Sequence, residues 1–248
     1  MRNLIAGLVV FAACCLLLPV AGVAQSMTVD LGSQTGGSAA ARMIQLVVLL
    51  TIITLAPSIL IMTTSFMRIV IVLSFLRSAL GLQQTPPNQV LVSLALFLTL
   101  FIMAPAFEQA YEDGVIPLME ERITEMQALE RMADPFHKFM MEHVRPKDLN
   151  LFVGMVPDLK IEKPEDTPFR VLLPAFMISE LKRAFEIGFL IFIPFVIIDM
   201  LVASILMAMG MMMLPPVMIS LPFKLIFFVV VDGWYMLCGS LIKSFGTV

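Results

Sequence analysis

The chain has 248 residues, 59% of them hydrophobic and only 14% charged, and its mean hydropathy is +0.96. That composition excludes an ordinary water-soluble globule, in which roughly half the residues are apolar, and points to an integral membrane protein. A net charge of −3 gives no electrostatic footing for nucleic acid. Cys14, Cys15 and Cys238 are the only cysteines, too few for a disulfide framework or a cysteine metal cluster.

Residues 1–24 read as a secretory signal: Arg2, an apolar run from Leu4 to Leu18, then the small residues Gly22-Val23-Ala24. A first transmembrane helix is the rival reading, and a lipid-modified Cys14 a further one. Residues 25–43 are rich in glycine and serine and suit a flexible tether.

A first helical hairpin is expected over 44–107. Its apolar spans are 44–62 and 90–104, each interrupted or followed by proline (Pro57, Pro105). Between them, 65–82 is apolar but carries Arg68 and Arg77. Two readings of these arginines stay open: an amphipathic interfacial helix whose arginines reach for water, or a hairpin partner whose arginines are buried among subunits. Gln83 to Gln89 holds two prolines and marks a break.

Sixteen of the nineteen acids and ten of the sixteen bases fall between Glu108 and Glu186, which marks 108–186 as the aqueous part. Helical phase there places Ile123, Met126, Leu129 and Met132 on one stripe, extended by Phe136, Phe139, Met140 and His143. His137 and His143 are about 120° apart on a helix, so they are poor co-ligands for a metal. Helix is expected to resume after Pro174.

A second hairpin is expected over 187–248, with spans at 189–209 and 219–242 and a methionine-rich loop at 207–218. With the N-terminus outside, Arg68, Arg77 and Lys224 fall in short inside segments, as the positive-inside rule asks, and 108–186 falls outside.

Asp199 and Asp232 lie in apolar sequence, where an acid costs a few kcal/mol unless it faces protein or water. They could form an intramembrane aspartyl-protease pair, but neither sits in the glycine pattern of such enzymes. The methionines could offer thioethers to Cu(I) in an ion transporter, although no cysteine or histidine stands beside them. The third reading is a pore subunit. In it Met211, Met212 and Met213, shaped by Gly210, Pro215 and Pro216, form a soft apolar constriction that gates by excluding water.

Pro174-Ala175-Phe176, Ser179-Glu180-Leu181 and Ala184-Phe185-Glu186-Ile187-Gly188 form one recognisable signature. Pro194-Phe195, Ile198-Asp199, Ser204, Met207, Met209-Gly210-Met211 and Leu214-Pro215-Pro216 form a second. On these residues the chain resembles the FliP family of the flagellar type III protein-export gate. The resemblance implies an all-α membrane subunit with an inserted helical periplasmic domain, assembling into a helical, pentameric pore with FliQ and FliR and joined to FlhA and FlhB. It implies a non-enzymatic role in the bacterial inner membrane, no cofactor, and unfolded polypeptides as the transported substrates. The family's methionine gasket maps onto Met211–Met213. Asp199, Asp232, Arg68, Arg77 and Glu180 are then candidates for buried charge pairing in assembly.

Overall fold

The computed structural model describes residues 39–156, 166–211 and 214–246. The signal at 1–24, most of the tether, and Met212 and Met213 lie outside the described residues. Two compact units divide at Thr51 and Ile52. Of the first, residues 39–51 are helical, with Met43, Ile44 and Val47 exposed. The architecture below is that of the second.

Among the described residues every regular element is helical and no strand occurs. They are α1 (Ala39–Met62), α2 (Phe66–Ala79), α3 (Asn88–Ala110), α4 (Ile116–Met119), α5 (Glu125–His143), α6 (Pro146–Val153), α7 (Phe169–Ala208), α8 (Pro216–Val230) and α9 (Gly233–Lys243). A π-helical turn, Tyr111–Val115, joins α3 to α4.

Helix α1 runs through Pro57 and ends at Met62, so the proline expected to kink or break it does not end it. The break falls at Thr63-Thr64-Ser65, between α1 and α2. Helix α2 buries Ile69, Val72, Leu73, Leu76 and Ala79, an i, i+3, i+4, i+7 stripe, against α7. Lipid gives no hydrophobic drive between apolar helices, so close packing decides. Ala184 and Gly188, four residues apart on α7, supply the small side chains such packing needs. Phe75 lies over Gly188, where a β-carbon would stand 2.6 Å from its ring. The matched levels Arg68 with Glu180 and Phe75 with Gly188 show that α2 and α7 run parallel.

Helix α3 starts after Pro86-Pro87, passes Pro105 and buries Leu91, Ala95, Thr99, Ile102 and Met103 on one side. Phe97, Phe101 and Leu100 are exposed on the other. Its end meets α5: Phe107 packs edge-on against Phe136, and Gly114 lies under Met132. Thr124 and Gln127 close a reciprocal capping box that starts α5. The expected stripe is shifted. Met126 and Leu129 are exposed, and the buried face runs through Ala128, Pro135, His137, Met140 and His143. Burial does not follow the expected stripe, because the small Ala128 is what fits against the Gly114 turn. His137 Nε2 lies 2.7 Å from the Thr167 carbonyl and His143 Nδ1 2.8 Å from the Phe139 carbonyl, which gives both imidazoles structural partners.

Helix α7 is one unbroken helix of 40 residues with Pro174 and Pro194 inside it. It begins at Phe169, five residues before the proline expected to precede it. Helix α8 returns beside α7, and after a 63° bend at Val231-Asp232, inside the expected span 219–242, α9 continues against α3.

The bundle therefore has two ends. Helix α5, the start of α2 and the last turn after α9 meet at one; the α2–α3 loop and the α7–α8 turn meet at the other. Arg68 and Arg77 lie at opposite ends of α2. Arg68 is buried against Glu180, so of the two open readings for these arginines it fits burial within the bundle.

Candidate functional site

The α7–α8 turn carries the methionines. Gly210 takes a left-handed φ of +74°, which glycine adopts without the steric cost of a side chain. Around it Met211 N–H donates to Leu206 O at 3.0 Å and Gly210 N–H to Met207 O at 3.0 Å, the paired bonds that close a helix C-terminus. Pro215 is extended, and Pro216 opens α8 where a missing N–H costs nothing. Met207, Met209, Met211, Leu214 and Met218 are all exposed. The turn is thus a soft, apolar element without cover from its own chain at those positions.

Beneath it Asp199 and Lys224 together join three helices. Lys224 Nζ donates to Asp199 Oδ2 at 2.6 Å and to the Ala79 carbonyl, at the end of α2, at 3.2 Å. Ser220 Oγ donates to Asp199 Oδ1 at 2.5 Å. Ser220 and Lys224 are one turn apart on α8 and so share a face. Lys224 is buried while the Asp199 side chain keeps 33% exposure. This bracket fixes the angle between the two helices that present the turn.

At the opposite end Arg68 is held on every side. Its Nε and Nη2 donate to the two Glu180 oxygens at 2.7 and 2.5 Å, in a bidentate fork. Its Nη1 donates to Ser244 O at 3.1 Å and lies 2.9 Å from Ser244 Oγ. The guanidinium carbon sits 3.6 Å above the Phe245 ring. Phe245 in turn stacks on Phe139, and its carbonyl lies 3.4 Å from His143 Nε2.

A third cluster ties α6 to α7. Arg145 Nε donates to Asp148 Oδ2 at 2.7 Å, and the Ser179 hydroxyl lies 2.7 Å from the same oxygen while accepting Arg145 N–H at 3.1 Å. Burial pushes the Asp148 carboxyl up, but the hydrogen bonds from Ser179 and Arg145 and the charges of Arg145 and Lys182 outweigh it and hold it below the usual carboxylate range.

Of the candidates named from sequence, Arg68 and Glu180 are brought together. Arg77 closes the α2–α3 loop instead, donating to Asn88 Oδ1 and to the Pro86 carbonyl. Asp232 is exposed at the α8–α9 bend with φ +50°. Helices α7 and α8 are antiparallel, with Asp199 at Ser220 and Phe195 at Phe228, so Asp232 lies about two to three turns from Asp199. The two acids do not share a site. Among the described residues no three His, Cys, Asp or Glu side chains cluster to hold a metal ion. Sequence reasoning missed Lys224, Ser220, Ser244, Asp148 and Ser179 as partners. Only the i, i+4 spacing of Ser220 and Lys224 signalled a shared role.

Two helical stretches, Asn88–Met119 and Phe169–Ala208, are long and apolar enough to cross a membrane, and the count rises to four if each bent pair is one span. Such helices, with ionic brackets buried between them, define a helical integral membrane protein. The model of the FliP family matches residues 49–241. The chain belongs to the FliP family. It is 56% identical over 240 residues to the flagellar biosynthetic protein FliP of Caulobacter vibrioides, covering 96% of this chain and 89% of that one. It is 52% identical to the Agrobacterium fabrum protein of that name, over 93% and 95% of the two chains. The Bacillus subtilis protein of that name is 56% identical, over 82% and 91%.

Proposed function

We propose that this chain is a pore-forming subunit of the flagellar type III export gate in the bacterial inner membrane, where unfolded flagellar proteins cross. Family membership and the flagellar names of its relatives support the apparatus. The observation that carries the finer reading is the α7–α8 turn: Met211 beside Gly210, exposed, apolar and anchored from beneath by Asp199, Ser220 and Lys224. With Met212 and Met213 it would give several copies a ring of flexible thioethers that yields around a polypeptide and closes against ions. Several copies, five by the resemblance, join FliQ and FliR and meet FlhA and FlhB. The α5 end faces the periplasm and the methionine turn the opposite side.

The test replaces Met211, Met212 and Met213 with glycine in the native complex. Ion conductance across the membrane should rise while protein export persists. An ion-tight triple variant would overturn the gasket. Extraction of the wild-type chain as a monomer, without small membrane partners, would overturn the pore.

A further inference from the structure

Helices α7 and α9 leave a groove between them. Its cavity of about 550 Å³ takes lining from Ile187, Leu190 and Pro194 of α7 and from Met236, Ser240 and Ser244 at α9. Leu190 and Met236 are exposed, so the described residues leave the groove uncovered. At one end Gly233 sits under Phe228, which meets Phe195. At the other Ser244 sits on Arg68, which meets Glu180. The groove thus runs from the middle of α7 toward the α5 end. From Gly233 to Ser244, both in its lining, the helical rise is about 16 Å, close to half of the bilayer's hydrocarbon core of about 30 Å. That is the depth of one leaflet, and so the reach of one acyl chain. Left empty, such a groove would lose the contacts its lining could make.

Charge collects at the α5 end of the groove. Arg183 stands with Ile187, Leu190 and Pro194 at i, i+4, i+7 and i+11, so it continues the α7 wall. Lys243 follows Met236 and Ser240 at i+7 and i+3, is exposed, and extends the α9 wall. Among the described residues neither Arg183 nor Lys243 forms an ion pair. The acids nearest to Arg183 along α7 are already taken, Glu180 by Arg68 and Glu186 by Lys182. An apolar helix of another subunit laid in the groove would strand both cations beside it. A phosphate answers both, since guanidinium and ammonium groups each bind it and basic pockets between membrane helices hold anionic head groups.

We infer that the α7–α9 groove binds one anionic phospholipid, with an acyl chain along its apolar walls and the phosphate held by Arg183 and Lys243. The test uses the full-length chain extracted with its bound partners, to which phosphatidylglycerol and phosphatidylcholine of identical acyl chains are added in equal amounts. Native mass spectrometry should show phosphatidylglycerol retained about tenfold more than phosphatidylcholine, the scale set by one or two basic contacts. Arg183→Gln with Lys243→Gln should bring its retention down to the phosphatidylcholine level. Arg183→Lys with Lys243→Arg keeps both charges and should retain the preference, which separates charge from a folding defect. Ser240→Phe fills the groove and should lower retention of both lipids. Free glycerol phosphate at the same concentration should not displace the lipid. Equal retention of the two lipids would overturn the inference, as would a glutamine pair or a Ser240→Phe variant that behaves as the wild type does. So would displacement by glycerol phosphate, which marks an anion site without a chain. A lipid-free complex in which Met236→Cys cross-links to another protein chain would overturn it too, because protein then covers the groove.

Discussion

Arg68 and Glu180, 112 positions apart in the chain, meet in a two-bonded fork from which water is shut out, with side-chain exposures of 1% and 0%. The pair sits where α2, α7 and the last turn of the chain converge. It fixes the parallel register of α2 and α7 with a geometry that an apolar contact would leave free to slide.

Removing one partner should cost far more than removing both. Glu180→Gln leaves a buried guanidinium without its counter-charge, a loss of about 3–5 kcal/mol. Replacing both, as Arg68→Met with Glu180→Leu, should recover most of that. Thermal unfolding of the three variants in one detergent checks it, and a double variant no more stable than Glu180→Gln would contradict it.

The Asp199 bracket predicts an asymmetry. Lys224 is the buried member, whereas Asp199 keeps a third of its side chain exposed. Asp199→Ala should therefore impair folding and assembly more than Lys224→Met, because the stranded ammonium has no water to turn to and the stranded carboxylate does. Ser220→Ala should cost only about 1 kcal/mol, a single hydrogen bond. Native mass of the extracted complex gives the ranking, and normal assembly of Asp199→Ala would refute it.

Gly188→Ala separates packing from propensity. Helix propensity alone makes alanine better by about 1 kcal/mol. The new β-carbon would stand 2.6 Å from the Phe75 ring, so α2 must move away from α7. Overpacking of this kind costs about 1–3 kcal/mol. A lowered melting temperature, partly restored by Phe75→Leu, is the expected result.

Asp148 sets a limit on acid tolerance. Its carboxyl is held below its unfolded value, near 3.9. The stabilisation is thus complete above that value and is lost as pH falls through the lower folded one. Exchange of α6 amides, taken relative to their intrinsic rate at each pH, should stay flat from pH 8 to about 5 and rise only under stronger acid. Ser179→Ala removes one of the hydrogen bonds that hold the carboxylate ionised, so the rise should move to higher pH.

Much of this was legible from residue patterns. Helicity, the apolar stretches, the break at Gln83–Gln89 and the methionine turn all follow from local composition. Prolines misled, however. Pro57, Pro105 and Pro174 read as punctuation, yet each lies within a continuous helix. Neighbouring helices can satisfy the carbonyl that a proline frees in such a bundle. The break at Thr63–Ser65 falls between the expected segments 44–62 and 65–82, whereas the one at Val231-Asp232 has no proline and lies unmarked inside the expected span 219–242. Glu180 and Arg68 could each be suspected, but no period in the sequence links positions so far apart. Their pairing is a property of the fold.

The length of α7 also turns angles into distances. From Glu180, where it is held to Arg68, to Ala208, where the methionine turn begins, it extends about 42 Å. A tilt of about 5° about Glu180 would carry the far end through about 4 Å, roughly the spacing of neighbouring α-carbons. A displacement too small to disturb the packing at the α5 end would be enough, at the other, to widen an opening by the breadth of a side chain.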